Sequence, residues 1–488
     1  MKYLLTSAQM QACDSTQIDQ YGMPSVVLME RAALAVRDAV LERFPDAQRI
    51  LVICGSGNNG GDGFAAARLL NLAGRRAEVL FVGKHDHMTQ ETARQAEIFE
   101  KHGGQVLPDE TTPKGYDLII DALFGIGLCR EVIGKYADLI RAVNLSGTKV
   151  VAVDIPSGVS ADDGQILGCA VRADLTVTMA FAKLGHVLYP GAEYCGEVIT
   201  ADIGITSAGL KEDPVMGLER GDLKGMLPPR RKTANKGTYG KLLLIAGGPH
   251  MAGAACLAGR AAYRTGCGLV CICSEEENRI IVQSSVPEAI FAPWSDDLKR
   301  WLDWADAVAV GPGLGQSHRS LELLTELLLT WSGPLVIDAD ALNLMASHRD
   351  LAVLNPAQTV VTPHPGEMAR LLEGDADAAE ISALPLSCAG PYAKSSGQVL
   401  VLKGARTVIT DGEETWLNLT GNEGMATGGS GDTLTGIIGS LMAQGLGAMD
   451  AAGCGVLLHG MAGDAAAAAM GSRSMTAGDI ADSIQAVM

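Results

Sequence analysis

Short runs of apolar and β-branched residues alternate with helix-patterned stretches through both halves of this 488-residue chain. That alternation points to parallel sheets with helices on both faces. In the first half, residues 49–54, 77–82, 118–122 and 149–153 read as strands, with helices expected at 64–73 and 89–102. Two helices are expected ahead of them, over 7–20 and 25–43, the second announced by Pro24 and Ser25. Shorter strands are expected near 174–179 and 196–203. Between Thr206 and Pro229 Gly, Pro and charge mix without a period. A linker is therefore expected at 207–226, joining a domain over 1–206 to one over 227–488. Alternation then resumes, with strands at 241–246, 269–273, 307–310, 334–337, 359–362 and 398–402. A helix is expected at 253–265, and two long ones, near 430–444 and 449–469, close the chain. The halves share a class but not a spacing, so they are not internal duplicates.

Composition agrees with this class. Fifty-nine glycines and only 4% aromatic residues suit tight helix–sheet packing and glycine-built ligand loops. A net charge of −18, with Arg230-Arg231-Lys232 the longest basic run, excludes nucleic acid as a main partner. The 11 cysteines are odd in number and lack zinc spacing, which reads as reduced, buried thiols in the cytoplasm. The N-terminus turns polar too soon for a signal peptide. No apolar run reaches the roughly 18 residues of a membrane span. The Ala-rich stretch 451–470 is broken by His459 and Asp464 and reads as a core helix. A cytoplasmic homo-oligomer acting on small molecules, without membrane or nucleic-acid partners, is the expected setting.

The first chemical signal is Gly55-Ser56-Gly57-Asn58-Asn59-Gly60-Gly61-Asp62-Gly63, after one strand and opening a helix. Such a loop lets the backbone approach a ligand and sets a helix N-terminus beneath an anion. The acidic residue that the ordinary dinucleotide fingerprint wants after the next strand is missing, since that segment reads Phe81-Val82-Gly83-Lys84. A purely structural turn would not need two Asn and an Asp. Two more polar loops leave strand ends, Asp121-Ala122-Leu123-Phe124-Gly125-Ile126-Gly127-Leu128-Cys129-Arg130 and Val153-Asp154-Ile155-Pro156-Ser157-Gly158. Either carboxylate alone could be a cap, but three polar loops on one rim favour a shared site. Asn59, Asp121 and Ser157 offer oxygens to a hard cation, and Asp154 is a candidate proton-transfer group.

These loops closely resemble the NAD(P)H-hydrate epimerase family over roughly residues 7–205. Supporting motifs are Glu30-Arg31, within the leading helix opened by Tyr21-Gly22-Met23-Pro24-Ser25, and Phe181-Ala182-Lys183-Leu184-Gly185. The resemblance implies a Rossmann-like three-layer domain that interconverts the R and S hydrates of NADH and NADPH. It implies potassium near Asn59, Asp121 and Ser157. Substrate contacts would come from Asn58, Asn59, Gly60, Gly61 and Asp62, and from Gly125, Ile126, Gly127, Leu128, Cys129, Arg130, Glu131 and Asp154. Two departures from the family are Ile126, usually Thr, and Leu184, often Pro.

The second signal, Gly424-Met425-Ala426-Thr427-Gly428-Gly429-Ser430-Gly431-Asp432-Thr433, leads into a helix. Backbone N–H groups at that N-terminus can form an anion hole, with Asp432 as the base for an attacking hydroxyl. An Asp-capped helix start is the plainer alternative. The pattern resembles the ribokinase-like α/β superfamily. Further loops follow later strands: 246–254, Gly311-Pro312-Gly313-Leu314-Gly315, Asp338-Ala339-Asp340-Ala341-Leu342-Asn343 and Thr362-Pro363-His364-Pro365-Gly366-Glu367. Taken alone, His364 reads as a loop residue and Lys403 as a solvated strand end. In this order they resemble the ADP-dependent NAD(P)H-hydrate dehydratase family, over about 228–486. The resemblance implies that Ala254, Gly313, His364 and Asp432 line the hydrate site. It assigns Lys403, Gly404, Ala405, Arg406, Thr407 and Gly431 to ADP, with Mg2+ on its phosphates.

The combined expectation is a bifunctional repair enzyme acting on NADHX and NADPHX, with ADP. Two rivals stay open at this point: a small-molecule kinase with a regulatory domain, and a first domain that only binds.

Overall fold

The structure, a computed structural model, describes residues 1–353 and 358–488. It divides into two compact units, Tyr3–Pro214 and Val215–Met488 with Met1–Lys2.

The first unit is built on a parallel sheet. Its order is Val106–Leu107, Arg76–Phe81, Arg49–Cys54, Leu118–Ala122, Lys149–Val153, Leu175–Met179, Glu197–Ala201. Residues of one strand alternate between two cores. Ile50, Val52 and Cys54 pack with the helices Ser25–Arg43 and Asn58–Leu72. Leu51 and Ile53 pack with Ala137, Ile140 and Val143 of the helix Lys135–Leu145. The result is the expected Rossmann-like three-layer architecture. Each fully buried aliphatic side chain contributes about 1.5–3 kcal/mol relative to exposure.

Several expectations need correction. The helix expected at 64–73 begins at Asn58. Glycine disfavours helix by propensity, but here close approach overrides it. A Cβ on Gly60 would lie 1.9 Å from the Gly55 carbonyl oxygen. The segment 7–20 splits into Ser7–Ser15, capped by Thr6, and a π-helical turn Thr16–Gln20. The strands Lys2–Leu5, Val106–Leu107 and Ala182–Lys183 were too short to show a pattern.

The second unit's sheet runs Ile290–Pro293, Leu269–Ser274, Lys241–Ile245, Ala307–Val310, Leu335–Ile337, Thr359–Val361, Val399–Leu402, Val408–Thr410, Thr415–Asn418, Val215–Leu218. It is parallel as far as Val399–Leu402, after which Val408–Thr410 runs antiparallel to both neighbours. The strand Val215–Leu218 and the short helix Leu223–Met226 fall where a structureless linker was expected. Leu218 and Leu223 are buried in the second unit's core. Four residues cannot display a period, so the sequence pattern missed them. The closing helices are Ser430–Ala443 and Ala448–Met470, both packed into that core. Among the described residues no helix is long and apolar enough to cross a membrane.

Candidate active sites

In the first unit the chain order reverses between Arg49–Cys54 and Leu118–Ala122, and open α/β sheets bind ligands beyond the strand ends at such a switch. The Gly55–Gly63 segment follows one of these strands and the Asp121–Glu131 loop the other. Asp121 and Ser157 are directly bonded. The Ser157 hydroxyl donates to Asp121 Oδ1 at 2.7 Å and its backbone N–H to Oδ2 at 2.8 Å. Phe124 N–H donates to Ser157 Oγ at 2.8 Å. Burial pushes the Asp121 carboxyl up to about 6, against the hydrogen bonds from Ser157 and Leu123. Asn59 lies against this loop, since a Cβ on Gly125 would be 3.3 Å from Asn59 Cγ. Its Nδ2 is buried with no hydrogen-bond partner. An amide's N and O exchange by a simple flip, so that buried position can equally present an oxygen.

Asp154 has a left-handed backbone, φ +66°. Its Oδ1 accepts from Lys183 Nζ at 2.6 Å, Thr178 Oγ1 at 2.9 Å and Met179 N–H at 3.3 Å. Lys183 is wholly buried and its ammonium also donates to Thr178 Oγ1 and the Met179 carbonyl. His186 Nε2 lies 2.8 Å from the Asp154 carbonyl oxygen. Burial alone would raise the Asp154 carboxyl; the Lys183 ammonium and its hydrogen bond outweigh that and hold it below the ordinary value. Asp62 is the counterpart. Burial, then the charges of Asp154 and Asp14, push its carboxyl well above the ordinary value. Two carboxyls whose environments drive them apart suit one ionised and one protonated role. Sequence reasoning quoted Lys183 only as part of a motif and passed over Thr178 and His186. A Lys just beyond an apolar strand was the available signal. Gly127, Cys129, Arg130 and Glu131 are exposed, and Gly125, Ile126 and Leu128 half-buried, along the loop assigned to substrate. Glu30 receives Arg68 Nη2 at 2.6 Å.

In the second unit the switch lies between Lys241–Ile245 and Ala307–Val310. Gly248 N–H donates to the Gly313 carbonyl at 2.6 Å, joining the two loops. Gly313, at φ +55°, packs on Ala254, whose Cβ would be 3.0 Å from an added Cβ. Gly315 N–H donates to Asp340 Oδ2 at 2.8 Å, which links them to the next loop. His364 caps the helix Pro365–Leu371, its Nδ1 accepting from Gly366 N–H at 3.0 Å. Burial, then the Lys403 and Arg370 charges, hold its imidazole below the ordinary value despite Glu367.

Gly429, at φ +91°, caps the helix that carries Asp432 in its first turn, so Asp432 is not the cap. Burial and the Asp338 charge push the Asp432 carboxyl up to about 6, with Lys403 opposing and Asp340 and Glu367 reinforcing. Lys403 is not a solvated strand end. Its Nζ lies 2.7 Å from Asp338 Oδ1 and 3.7 Å from Glu367 Oε2, with Asp338 1% exposed. The chain then turns outward through Gly404 and Ala405, which are exposed, and Arg406 and Thr407, half-buried. Gly431 lies over the ion pair: a Cβ there would be 3.4 Å from Lys403 Nζ. Sequence reasoning also missed His459, buried behind the helix start with Nε2 3.3 Å from Ser430 Oγ.

A family model described as NAD(P)H-hydrate dehydratase matches residues 242–486, and one described as YjeF-related protein N-terminus matches residues 25–185. The bifunctional NAD(P)H-hydrate repair enzyme Nnr of Moorella thermoacetica is 39% identical, covering 100% of this chain and 96% of its own length. The Escherichia coli protein of the same name is 37% identical, over 96% and 91%. Among solved structures, the Bacillus subtilis ADP/ATP-dependent NAD(P)H-hydrate dehydratase, co-crystallised with ATP/Mg2+, is 31% identical with a TM-score of 0.50. It spans 56% of this chain and 97% of its own. A ribokinase-like protein from Enterococcus faecalis is 27% identical, with a TM-score of 0.51, over 56% and 94%.

Proposed function

The chain belongs to the family of bifunctional NAD(P)H-hydrate repair enzymes, and on that premise we propose how its residues divide the work. The first unit epimerises the R and S hydrates of NADH and NADPH. The second dehydrates the S form to NAD(P)H at the expense of ADP. The observation that carries the residue assignment is the Asp432 carboxyl at the first turn of a helix, among the charged ends of three strand loops.

In the second unit Asp432 takes the proton of the substrate hydroxyl as its oxygen bonds to the β-phosphorus of ADP. The bond to AMP breaks, and AMP leaves with the electron pair. A hydroxyl is a poor leaving group and a phosphate a good one. The adjacent ring nitrogen then expels phosphate, and loss of a proton from the neighbouring ring carbon restores the double bond. The N–H of Gly431, at the helix start, faces the phosphoryl oxygens as charge develops there, while that of Ser430 is given to the Thr427 carbonyl. Ala254, Gly313 and His364 hold the hydrate, and the turn Lys403–Thr407 with Gly431 holds the adenine nucleotide. Mg2+, when it accompanies the nucleotide, would bind its phosphates and supply positive charge there. Among the described residues no group of three His, Cys, Asp or Glu side chains forms a metal cage, and Mg2+ commonly binds substrate phosphates instead.

In the first unit Asp154 is the proton-transfer group at the hydrated carbon, kept ionised by Lys183. The loops Asn58–Asp62 and Gly125–Glu131 hold the nucleotide. The oxygens of Asp121, Ser157 and, after an amide flip, Asn59 fit a hard monovalent cation of potassium size. When bound, that ion supplies positive charge toward the substrate's phosphates. The assignment is tested by following NADH-hydrate conversion at the NADH absorbance, with ADP and ATP compared, and R-to-S exchange separately. Recovery of NADH with ADP, together with exchange without any nucleotide donor, is the expected result. A stable phosphorylated product would overturn the dehydratase assignment in favour of a kinase.

A further inference from the structure

The loop 338–343 was singled out in the sequence but has no part in the assignment above, although Asp338 is the most buried carboxylate of the second site, at 1% exposure. Its two oxygens are both engaged, and by different elements. Oδ1 receives the Lys403 ammonium at 2.7 Å, from the end of the strand Val399–Leu402. Oδ2 receives the Thr435 hydroxyl at 2.7 Å, from the helix that begins at Ser430. Thr435 is one turn beyond Asp432 and donates to no solvent, being fully buried. Lys403 Nζ lies 3.4 Å from where a Gly431 Cβ would be. A Cβ at 431 would stand in van der Waals contact with the ammonium, so the helix start lies directly over it.

We propose that Asp338 is the positioning residue of the phosphoryl-transfer site, locking the Lys403 ammonium beneath Gly431 and the Asp432 helix above it. The positive charge under the anion hole then comes from a half-buried side chain as well as from the helix N-terminus. Lys403 acts from below through its ammonium, while the turn after it meets the nucleotide through its backbone. A cation held by a buried, hydrogen-bonded carboxylate keeps its charge and its place, so the hole needs no reorganisation as charge develops. The inference rests on the dehydratase reading of this unit.

The charges that act on Asp432 are Asp338 and Asp340 from one loop, Glu367 from the helix Pro365–Leu371, and Lys403 from the strand end; His364, the cap of that helix, stands near Glu367, Lys403 and Asp338. His459 stands behind Ser430. Burial pushes His459 down to about 4, so it is neutral in the working range. Asp338 raises the Asp432 carboxyl and Lys403 lowers it. Removing either partner must therefore move the acid limb of the dehydration pH profile in opposite directions.

The test is the pH dependence of kcat for dehydration of S hydrate with ADP, in the full chain, with ADP affinity measured alongside. Asp338→Asn is expected to move the acid limb to lower pH and Lys403→Met to higher pH. Each should lower kcat by about 10²-fold, as expected for a displaced catalytic constellation. The double variant D338N/K403M removes both members of the pair together, which spares the fold an Asp338 or a Lys403 left without the other. It should fold as wild type does, bind ADP, and still lose about 10²-fold in kcat. Limbs that stay in place in both single variants would overturn the proposal, as would a folded double variant at wild-type rate. If wild-type protein makes no NADH from the hydrate, it is the dehydratase reading that fails instead.

Discussion

Lys183 Nζ lies 2.6 Å from Asp154 Oδ1, with the lysine side chain wholly out of solvent and every donor of its ammonium engaged. This pair explains how a carboxylate in a buried crevice stays ionised: the ammonium offsets the burial that would otherwise protonate it. Lys183→Met is expected to abolish R-to-S exchange by at least about 10²-fold, the usual effect of losing a proton-transfer group. It should also destabilise the first unit by about 3–5 kcal/mol, since the remaining charge is left buried and unpaired. The Asp154 carboxyl is held below its ordinary value, so its stabilising contribution is full above the unfolded pKa and lost as pH falls through the folded one. A thermal melt series from pH 3 to 7 should show that loss in wild type and not in K183M. Unchanged exchange in the variant would remove Asp154 as the proton-transfer group.

Asp62 is expected to behave in the opposite way. Its carboxyl is raised by burial and by Asp154, so the folded state favours its neutral form. A raised carboxyl costs stability that is absent below the unfolded pKa and grows as pH rises through the folded one. Asp62→Asn, which mimics the protonated form, should leave the melting temperature unchanged or raise it at pH 8, while lowering R-to-S exchange. A variant that melts lower at pH 8 yet exchanges normally would contradict both statements.

Epimerisation is expected to require a monovalent cation of potassium size. Asp121 and Ser157 present bonded oxygens and Asn59 a buried, unpartnered amide atom, with no thiolate or imidazole among them. Ser157→Ala should weaken cation binding and remove the hydroxyl donor to Asp121 Oδ1, while the backbone N–H of residue 157 stays on Oδ2. Equal exchange rates in potassium and in a bulky organic cation buffer would remove this idea.

Much of this was legible in the sequence because the physics is local. Strand runs such as Arg49–Cys54 and glycine loops at their ends announce a parallel sheet and its ligand rim. What escaped was long-range. The pairing of Asp338 with Lys403 spans 65 positions, and that of Asp154 with Lys183 spans 29. No spacing rule reports that two strand ends will meet. The start of the helix at Asn58 was hidden because its glycines read as a loop, and the close approach to Gly55 and Ala122 that calls for glycine there is a tertiary contact. Val215–Leu218 was hidden by its length.

That last strand gives a further expectation about where the chain can be divided. Leu218 and Leu223 are buried in the second unit's core, so a fragment beginning at 215 should fold and dehydrate hydrate on its own. A fragment beginning at 227 loses both side chains and the strand Val215–Leu218, and should melt lower. Burying two leucines is worth about 1.5–3 kcal/mol each. The fragment ending at 214 should epimerise alone. Equal melting of the 215 and 227 fragments would place the boundary elsewhere.

Asp432→Asn is expected to abolish dehydration while leaving ADP affinity and R-to-S exchange near normal. Asp432 is not the helix cap, which is Gly429, so the substitution removes no capping bond. Asn keeps the shape but cannot accept the hydroxyl proton, which should lower NADH formation by about 10²–10⁴-fold. The sign of the stability effect separates this from misfolding. The carboxyl is pushed up to about 6 by burial and by Asp338. Its ionisation therefore costs stability that is absent below the unfolded pKa, grows as pH rises toward about 6, and is full above it. The variant should melt at the same temperature as wild type near pH 4 and no lower than wild type at pH 8. In wild type, dehydration should fall away below about pH 6 as Asp432 takes up its proton, with the limb shifted where bound nucleotide adds negative charge. Near-normal NADH formation by the variant would refute the base assignment. Loss of exchange and ADP binding together, with a lower melting temperature at pH 8, would show that the substitution had instead damaged the fold.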